Sequence, residues 1–206
     1  MKPFCRSSGI APPVLGMRRI LVAITFAWVA GFWALAAPLK AQSAASNVNA
    51  QDVGGVTHFR RLGTTVACGG ATTPAAVAEI KKMGFVADIN FRRPSEPGAN
   101  VEGEGAAAKA AGLRYYNIPF DGEHPSDAAV DKFLAVITAP GNQPAYIHCS
   151  GGNRASTMWF IKRMVVDHWG EERAFKEATE LGMTSAALKK FAIEYARTHK
   201  GAGGAE

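Results

Sequence analysis

The sequence predicts an α/β domain of three layers, in which a mainly parallel central sheet is flanked by helices. Short apolar runs alternate with amphipathic segments between residues 57 and 198, and parallel strands require such helical crossovers. One apolar run, at 145–147, also leads through a glycine-rich turn directly into an amphipathic segment at 155–166. With 206 residues, 48% of them apolar, the chain is long enough for one sizeable core and an extension.

The first 45 residues have the order of an export signal. Arg18 and Arg19 precede an uncharged run at 20–37, and small residues follow at 41–45. We therefore expect a cleaved signal peptide and an exported protein, periplasmic or secreted, with Met17 as an alternative start. The run is also nearly long enough to span a bilayer, so retention as an N-terminal membrane anchor is the alternative.

The charge of the chain belongs mostly to this segment. Five of the 23 basic residues and none of the 17 acidic residues lie within residues 1–41, so 18 basic and 17 acidic residues remain. The net charge falls from +6 to +1, and a nucleic-acid partner is not expected. Two cysteines, Cys68 and Cys149, remain in the exported part, too few for a disulfide scaffold.

The exported part begins with a polar segment, 46–56, which predicts a flexible linker before a domain at 57–198. Thr73 is a candidate N-cap, with Pro74 at the first helical position. The expected elements up to residue 118 are strands at 57–62, 65–68, 85–91 and 113–118 and helices at 74–83 and 102–111.

A loop at 119–125 then leads into a helix that Ser126 caps and that runs to about residue 138. After the strand at 145–147 come helices at 155–166, 171–181 and 186–197, and the flexible tail is expected at 199–206. The histidines show no metal-ligand spacing, and the chain has no Walker loop or dinucleotide fingerprint. We therefore expect neither a metal nor an organic cofactor.

The stretch 146–156 is the strongest candidate for a functional site. Successive amides of a glycine-rich turn, and the N-terminus of the helix behind it, favour an anion at one point. Cys149 lies at the base of this turn, where the same field favours a thiolate, and Arg154 can offer two parallel N–H donors to phosphate oxygens. The residues expected to bind phosphate are Ser150, Gly151, Gly152, Asn153 and Arg154. The alternative is a buried structural cysteine followed by an ordinary turn.

This stretch resembles the active loop of cysteine-dependent tyrosine and dual-specificity phosphatases, which reads His-Cys, five residues, Arg. Only four residues separate Cys149 from Arg154. With this shorter spacing the loop resembles that of rhodanese-type sulfurtransferases and, in particular, that of the small bacterial phosphatase-like domain of β-lactamase-hydrolase-like proteins. The pattern Cys68-Gly-Gly-x-Thr-x-Pro, then a helix, Gly-Phe and a strand, is similar to the entry of that domain. The resemblance implies a dual-specificity phosphatase-like fold.

The resemblance also implies a general acid on the loop at 119–125. Asp121, 28 residues before Cys149, is the best match, and Glu123 is the second choice. The alternative for Asp121 is an Asx-turn with Gly122. His148 is expected to order the loop by hydrogen bonding and Ser156 to donate to the cysteine sulfur.

The predicted function is hydrolysis of phosphate monoesters through a phosphocysteine intermediate, with a phosphorylated protein or a small phosphate ester as substrate. One alternative is a sulfurtransferase that carries a persulfide on Cys149, in which Asp121 has no leaving group to protonate. The other is a non-catalytic module that binds phosphorylated ligands. A reversible disulfide between Cys68 and Cys149 is a further hypothesis, with Cys68 as a buried spectator as the alternative.

Overall fold

The computed structural model describes residues 47–199. No helix in this range is long and apolar enough to cross a membrane. The predicted signal peptide or anchor at 1–45 and all but the first residue of the predicted tail lie outside the described residues. His199, the first tail residue, is the last residue of a helix.

One sheet of six strands, in the order β1-β2-β3-β6-β4-β5, forms the centre of the described domain. The strands are β1 (Val48–Ala50), β2 (Arg60–Leu62), β3 (Val66–Gly69), β4 (Ala87–Asn90), β5 (Arg114–Asn117) and β6 (Ala145–His148). The first three strands pair antiparallel, whereas β3, β6, β4 and β5 pair in parallel. The predicted mainly parallel sheet is confirmed.

Helices cover both faces of this sheet, as predicted. A 3₁₀ turn (Pro74–Ala76) leads into α1 (Val77–Lys82), and the remaining helices are α2 (Val101–Ala111), α3 (Asp127–Thr138), α4 (Asn153–Val165), α5 (Glu171–Glu180) and α6 (Ala186–His199). Core residues of α1 and α2 cluster with Tyr146 on one face, and core residues of α3 to α6 cluster with Ile147 on the other. Because side chains alternate along a strand, β6 contributes to both clusters.

The described part of the predicted linker, 47–56, contains paired backbone. Val48–Ala50 form the edge strand β1, which pairs with β2, and Val56 makes isolated bridges with Val53 and Thr72. The sequence did not reveal this strand because three residues, Val-Asn-Ala, are too few to show a periodic pattern, and two of them are exposed.

Two predicted caps occupy cap positions without capping. Thr73 precedes the 3₁₀ turn and Ser126 precedes α3, but neither side chain accepts a hydrogen bond there. Asn100 instead caps α2, where its Oδ1 accepts the N–H of Gly103 at 3.0 Å. The helix start near residue 101 was predicted, but not the residue that caps it.

The four parallel strands end at one rim, which positions the candidate site. The segments that follow β3, β4, β5 and β6 all leave the sheet at their carboxyl ends, the usual location of ligands in parallel α/β folds. They contain Gly70, Arg93, Asp121 and Cys149. The topology alone therefore brings four separate stretches of sequence to one edge.

Candidate active site

Cys149 lies at the base of the loop between β6 and α4 and is 1% exposed. Its amide donates to the carbonyl of Gly69 at 3.3 Å, and its Sγ accepts the N–H of Gly152 at 3.1 Å. Gly152 has φ +91°, in the left-handed region that favours glycine. The loop therefore turns back on itself and directs an amide donor at the sulfur.

Gly69 and Gly70 pack directly behind this loop. The amide of Ala71 donates to the carbonyl of Ser150 at 2.9 Å. A Cβ on Gly70 would lie 3.0 Å from that carbonyl oxygen and 2.2 Å from Oγ1 of Thr57. The sequence predicted only a turn here, but the structure shows that Gly70 allows the close approach of two backbones.

Arg154 is held by Glu96, which the sequence analysis did not identify as a site residue. Nη1 lies 2.5 Å from Oε1 of Glu96 and Nη2 lies 2.8 Å from Oε2, so the pair is bidentate. Nη1 also donates to the carbonyl of Phe120 at 2.8 Å. The only sequence signal for Glu96 is its position four residues after Arg92, beyond the end of β4.

The charge of this pair is strongly stabilised. Burial opposes ionisation of Glu96, but hydrogen bonds from Arg154 and Arg93 and the charges of Arg154 and Arg92 lower the pKa of Glu96 to about 2. Burial opposes ionisation of Arg154 also, but Glu96 and the nearby Cys149 raise its pKa above the usual range. Arg154 is thus a fixed cation beside Cys149.

The orientation of Arg154 leaves one edge of its guanidinium facing the loop. Glu96 occupies the end formed by Nη1 and Nη2, and the second N–H of Nη2 donates to Oγ of Ser150 at 3.0 Å. That N–H and Nε–H lie on the same edge of the planar group. An oxyanion bound in the loop would meet this edge, in the bidentate geometry typical of phosphate.

Asp121 lies on a loop that contacts Arg154. A Cβ on its neighbour Gly122 would lie 3.7 Å from Cγ and Cδ of Arg154. Oδ1 of Asp121 accepts hydrogen bonds from the amides of Glu123 at 2.9 Å and His124 at 3.4 Å. This oxygen therefore closes a turn of its own loop, as in the Asx-turn alternative. Oδ2 pairs with Nη1 of Arg93 at 2.5 Å. The amide of Glu123 is the largest cause of a lowered pKa of Asp121, and Arg93 adds to it.

His148 points away from the loop, to the opposite face of the sheet, so the prediction that it orders the loop directly is wrong. Its Nε2 lies 2.6 Å from Oε1 of Glu104 on α2 and 3.4 Å from Oδ1 of Asp88 on β4. Burial lowers the pKa of His148, but the hydrogen bonds and charges of the two carboxylates raise it to about 10. The contact with Glu104 ties the end of β6 to α2.

This triad is the one group among residues 47–199 with three donor atoms close enough to hold a metal ion. The ligand atoms of Asp88, Glu104 and His148 lie within 4.8 Å of one another, and all three side chains are buried. Linear spacing could not reveal the triad because its members come from three elements.

The side chains of two further residues of this stretch make contacts that the sequence did not predict. The hydroxyl of Ser156 donates to the carbonyls of Gly152 at 2.9 Å and Asn153 at 3.0 Å, so it is directed to the backbone of its own helix instead of the sulfur. Oδ1 of Asn153 accepts the amides of Thr184 and Ser185. The Asn153 side chain therefore fastens the loop to the turn before α6.

Cys68 is a free, buried thiol on the same face of the sheet as Cys149. Burial raises the pKa of Cys68, and the charge of Cys149 raises it further. In the parallel register Cys68 lies opposite Ile147, so Cys149 is two residues further along. The disulfide between the two cysteines stays a prediction.

Solved structures identify the fold as dual-specificity phosphatase-like. A DUF442 protein from Shewanella putrefaciens superposes with a TM-score of 0.60 at 18% identity, over 70% of this chain and 95% of that one. TpbA from P. aeruginosa superposes with a TM-score of 0.57 at 20% identity, over 75% of this chain and 91% of TpbA. TpbA has also been solved in complex with pTyr.

Within this class, the profile of the phosphatase-like domain of beta-lactamase hydrolase-like proteins matches residues 58–165. The chain belongs to this family. Beta-lactamase hydrolase-like proteins of Agrobacterium fabrum and Xylella fastidiosa (strain Temecula1) are 29% and 30% identical over 127 and 129 residues. Each alignment covers 56% of this chain but 29% and 28% of the relative. The chain thus spans less than a third of these relatives.

Proposed function

We propose that the domain is a cysteine-dependent phosphatase that hydrolyses phosphate monoesters through a phosphocysteine intermediate. The observation that carries this proposal is the pairing of Cys149 with Arg154 at one loop. An amide is directed at the sulfur, and Glu96 fixes the guanidinium so that one edge faces the loop. The nucleophile and the groups that bind the oxyanion are therefore in position before substrate binds. Such positioning and electrostatic stabilisation supply most of the rate enhancement in enzymatic phosphoryl transfer.

The proposed reaction has two steps. The Cys149 thiolate attacks phosphorus, a P–S bond forms, and the P–O bond to the leaving group breaks while Asp121 gives its proton to the leaving oxygen. Water then attacks phosphorus, Asp121 takes the water proton, and the P–S bond breaks to release phosphate and the thiolate. Arg154 and the loop amides hold the equatorial oxygens throughout.

The substrate that we propose is a phosphorylated protein or a small phosphate ester, and the pTyr complex of TpbA is consistent with a phosphotyrosine substrate. We also propose that the domain acts outside the cytoplasm, because the order of residues 18–45 is that of an export signal.

A sulfurtransferase is the second candidate, and two observations favour it. Only four residues separate Cys149 from Arg154, and Asp121 is ion-paired with Arg93. A persulfide on Cys149 would need the same anion cradle but no general acid.

One experiment tests both functions. The purified domain is assayed on p-nitrophenyl phosphate and on thiosulfate with cyanide, each with wild type and Cys149→Ser. We expect phosphate release that the serine variant abolishes. Thiocyanate formation without phosphate release would indicate the sulfurtransferase. If neither product forms, the remaining candidate is the non-catalytic binding module.

A further inference from the structure

Asp121, the proposed general acid, is held in its ionised form. Its Oδ1 accepts two amides, and its Oδ2 pairs with Nη1 of Arg93. A general acid has to carry a proton, and every one of these contacts favours the carboxylate. The resting site therefore withholds the proton that cleavage of an alkyl ester requires.

Arg93 differs from the other two arginines near Glu96 in being free to change partners. Arg92 is buried and donates to the carbonyls of Pro97 at 2.6 Å and Gly98 at 2.9 Å. Arg154 is locked by its bidentate pair. The side chain of Arg93 is 46% exposed, and its Nε lies 3.4 Å from Oε1 of Glu96. An ion pair this exposed is weak enough for a solvent-borne anion to displace.

We propose that Arg93 is a positioning residue that latches Asp121 as a carboxylate, and that a second anionic group on the substrate draws Arg93 away and releases the latch. The inference rests on the proposed phosphatase function and names its substrate class: phosphate monoesters with a further carboxylate or phosphate within reach of Arg93. Arg154 holds the scissile phosphate and Arg93 binds the second anion.

The charged groups around Asp121 allow this exchange. Arg93 faces it from the exit of β4, His124 and Glu123 belong to its own loop, and Arg154 lies beneath Gly122. From α6 the nearest side chain at Gly122 is the apolar Leu188. When Arg93 leaves, Oδ2 loses its cationic partner, so its affinity for a proton rises and a larger fraction of Asp121 takes a proton from solvent. That proton passes to the leaving oxygen, and the ionised Asp121 can pair with Arg93 again.

The test compares benzyl phosphate with 3-carboxybenzyl phosphate, whose leaving alcohols differ little in basicity. In wild type we expect kcat/KM for the carboxylated ester to be higher by about tenfold, within the usual range of coupling between two sites. Arg93→Gln should abolish that preference and, near neutral pH, raise kcat/KM for benzyl phosphate by about threefold as more Asp121 is protonated. The loss of activity with rising pH should also begin at higher pH.

Two controls make the result specific. Arg197→Gln removes another surface arginine that is paired with a glutamate, Glu194, outside the site, and it should keep the wild-type preference and pH profile. Arg93→Lys keeps a charge beside Asp121, so its pH profile should stay near that of wild type. Circular dichroism first checks that Arg93→Gln is folded. A ¹³C NMR titration of its Asp121 carboxyl, made in the absence of substrate, should then show a pKa higher than in wild type.

The outcomes separate the latch from the function beneath it. Equal slowing of both esters by Arg93→Gln, with an unmoved pH profile and an unmoved Asp121 titration, would reduce Arg93 to a structural contact. If wild type hydrolyses p-nitrophenyl phosphate but does not prefer the carboxylated ester, the latch is refuted and the phosphatase stands. If wild type hydrolyses no phosphate ester at all, the phosphatase proposal itself fails.

Discussion

At the scale of single residues, Glu96 is the unexpected member of the site. Arg154 was identifiable from its spacing to Cys149, because both lie on one loop. Glu96 reaches Arg154 from the segment after β4, 58 residues away in sequence, and no local pattern reports such a contact. It fixes which edge of the guanidinium faces the loop.

Replacing Glu96 by Gln tests this orientation. The amide keeps the size of the side chain but loses the charge that holds two N–H groups in parallel. We expect kcat/KM for p-nitrophenyl phosphate to fall by roughly 10²-fold, the usual cost of misplacing a catalytic group. The fold should persist, as shown by circular dichroism. The matched control is Glu79→Gln, which breaks an exposed pair with Lys82. An unchanged rate in Glu96→Gln would mean that Arg154 is oriented by its carbonyl contacts alone.

Asp121 gives the second residue-scale prediction. Asp121→Asn cannot deliver a proton, so hydrolysis of alkyl phosphates should slow by roughly 10²-fold or more. A nitrophenyl ester should be affected much less, because its leaving group needs no proton. Steady-state rates on the two esters measure the difference. Equal losses on both esters would mean that Asp121 has a structural role in its Asx-turn. The general acid would then be Glu123 or water.

At the scale of elements, the site depends on how closely the turn after β3 approaches the active loop. The Gly-Gly pair was predicted as a turn, whereas the hydrogen bond from the amide of Cys149 to the carbonyl of Gly69 appears only once β3 and β6 are side by side. The same limit applies to His148, whose partners lie on β4 and α2. Contacts between elements far apart in sequence leave no local pattern.

Gly70→Ala should therefore be costly. Its Cβ would lie 2.2 Å from Oγ1 of Thr57 and 3.0 Å from the backbone oxygen of Ser150, and such overpacking typically costs about 1–3 kcal/mol. Urea unfolding measures the loss, and turnover should fall with it because the loop is displaced. Gly54→Ala, where no atom lies within 4 Å, should change stability by less than about 0.5 kcal/mol. Equal effects of the two variants would contradict the close packing.

At the scale of the whole molecule, most of the architecture followed from the sequence. The parallel strands and the helices were evident because their apolar residues repeat with the period of each element. The edge strand β1 was not, since a short exposed strand has no such repeat. The rim that unites Gly70, Arg93, Asp121 and Cys149 follows from parallel topology, but the ion pairs across it do not.

The buried triad gives the whole domain a pH-dependent stability. The pKa of His148 is raised from 6.5 to about 10, so its contribution is complete below about pH 6.5 and is lost as pH rises towards 10. The raised pKa of Glu104, caused chiefly by burial, acts in the same direction. We expect the urea midpoint to fall between pH 7 and 9.5, and to fall less in Glu104→Gln. Glu102→Gln, exposed on the same helix, should match wild type. Parallel profiles for all three proteins would exclude the triad as the source.

The chemistry at Cys149 can be observed directly by acid quenching during turnover. Wild type mixed with a phosphotyrosine peptide is quenched, digested and examined by mass spectrometry at the peptide that contains Cys149. We predict a phosphoryl group on the sulfur of Cys149 in wild type and none in Cys149→Ser. In Asp121→Asn with a nitrophenyl ester the adduct should be enriched, because the water of the second step then lacks its base. An unmodified Cys149 during active phosphate release would contradict a phosphocysteine, and a persulfide formed from thiosulfate without any phosphoryl adduct would establish sulfur transfer instead.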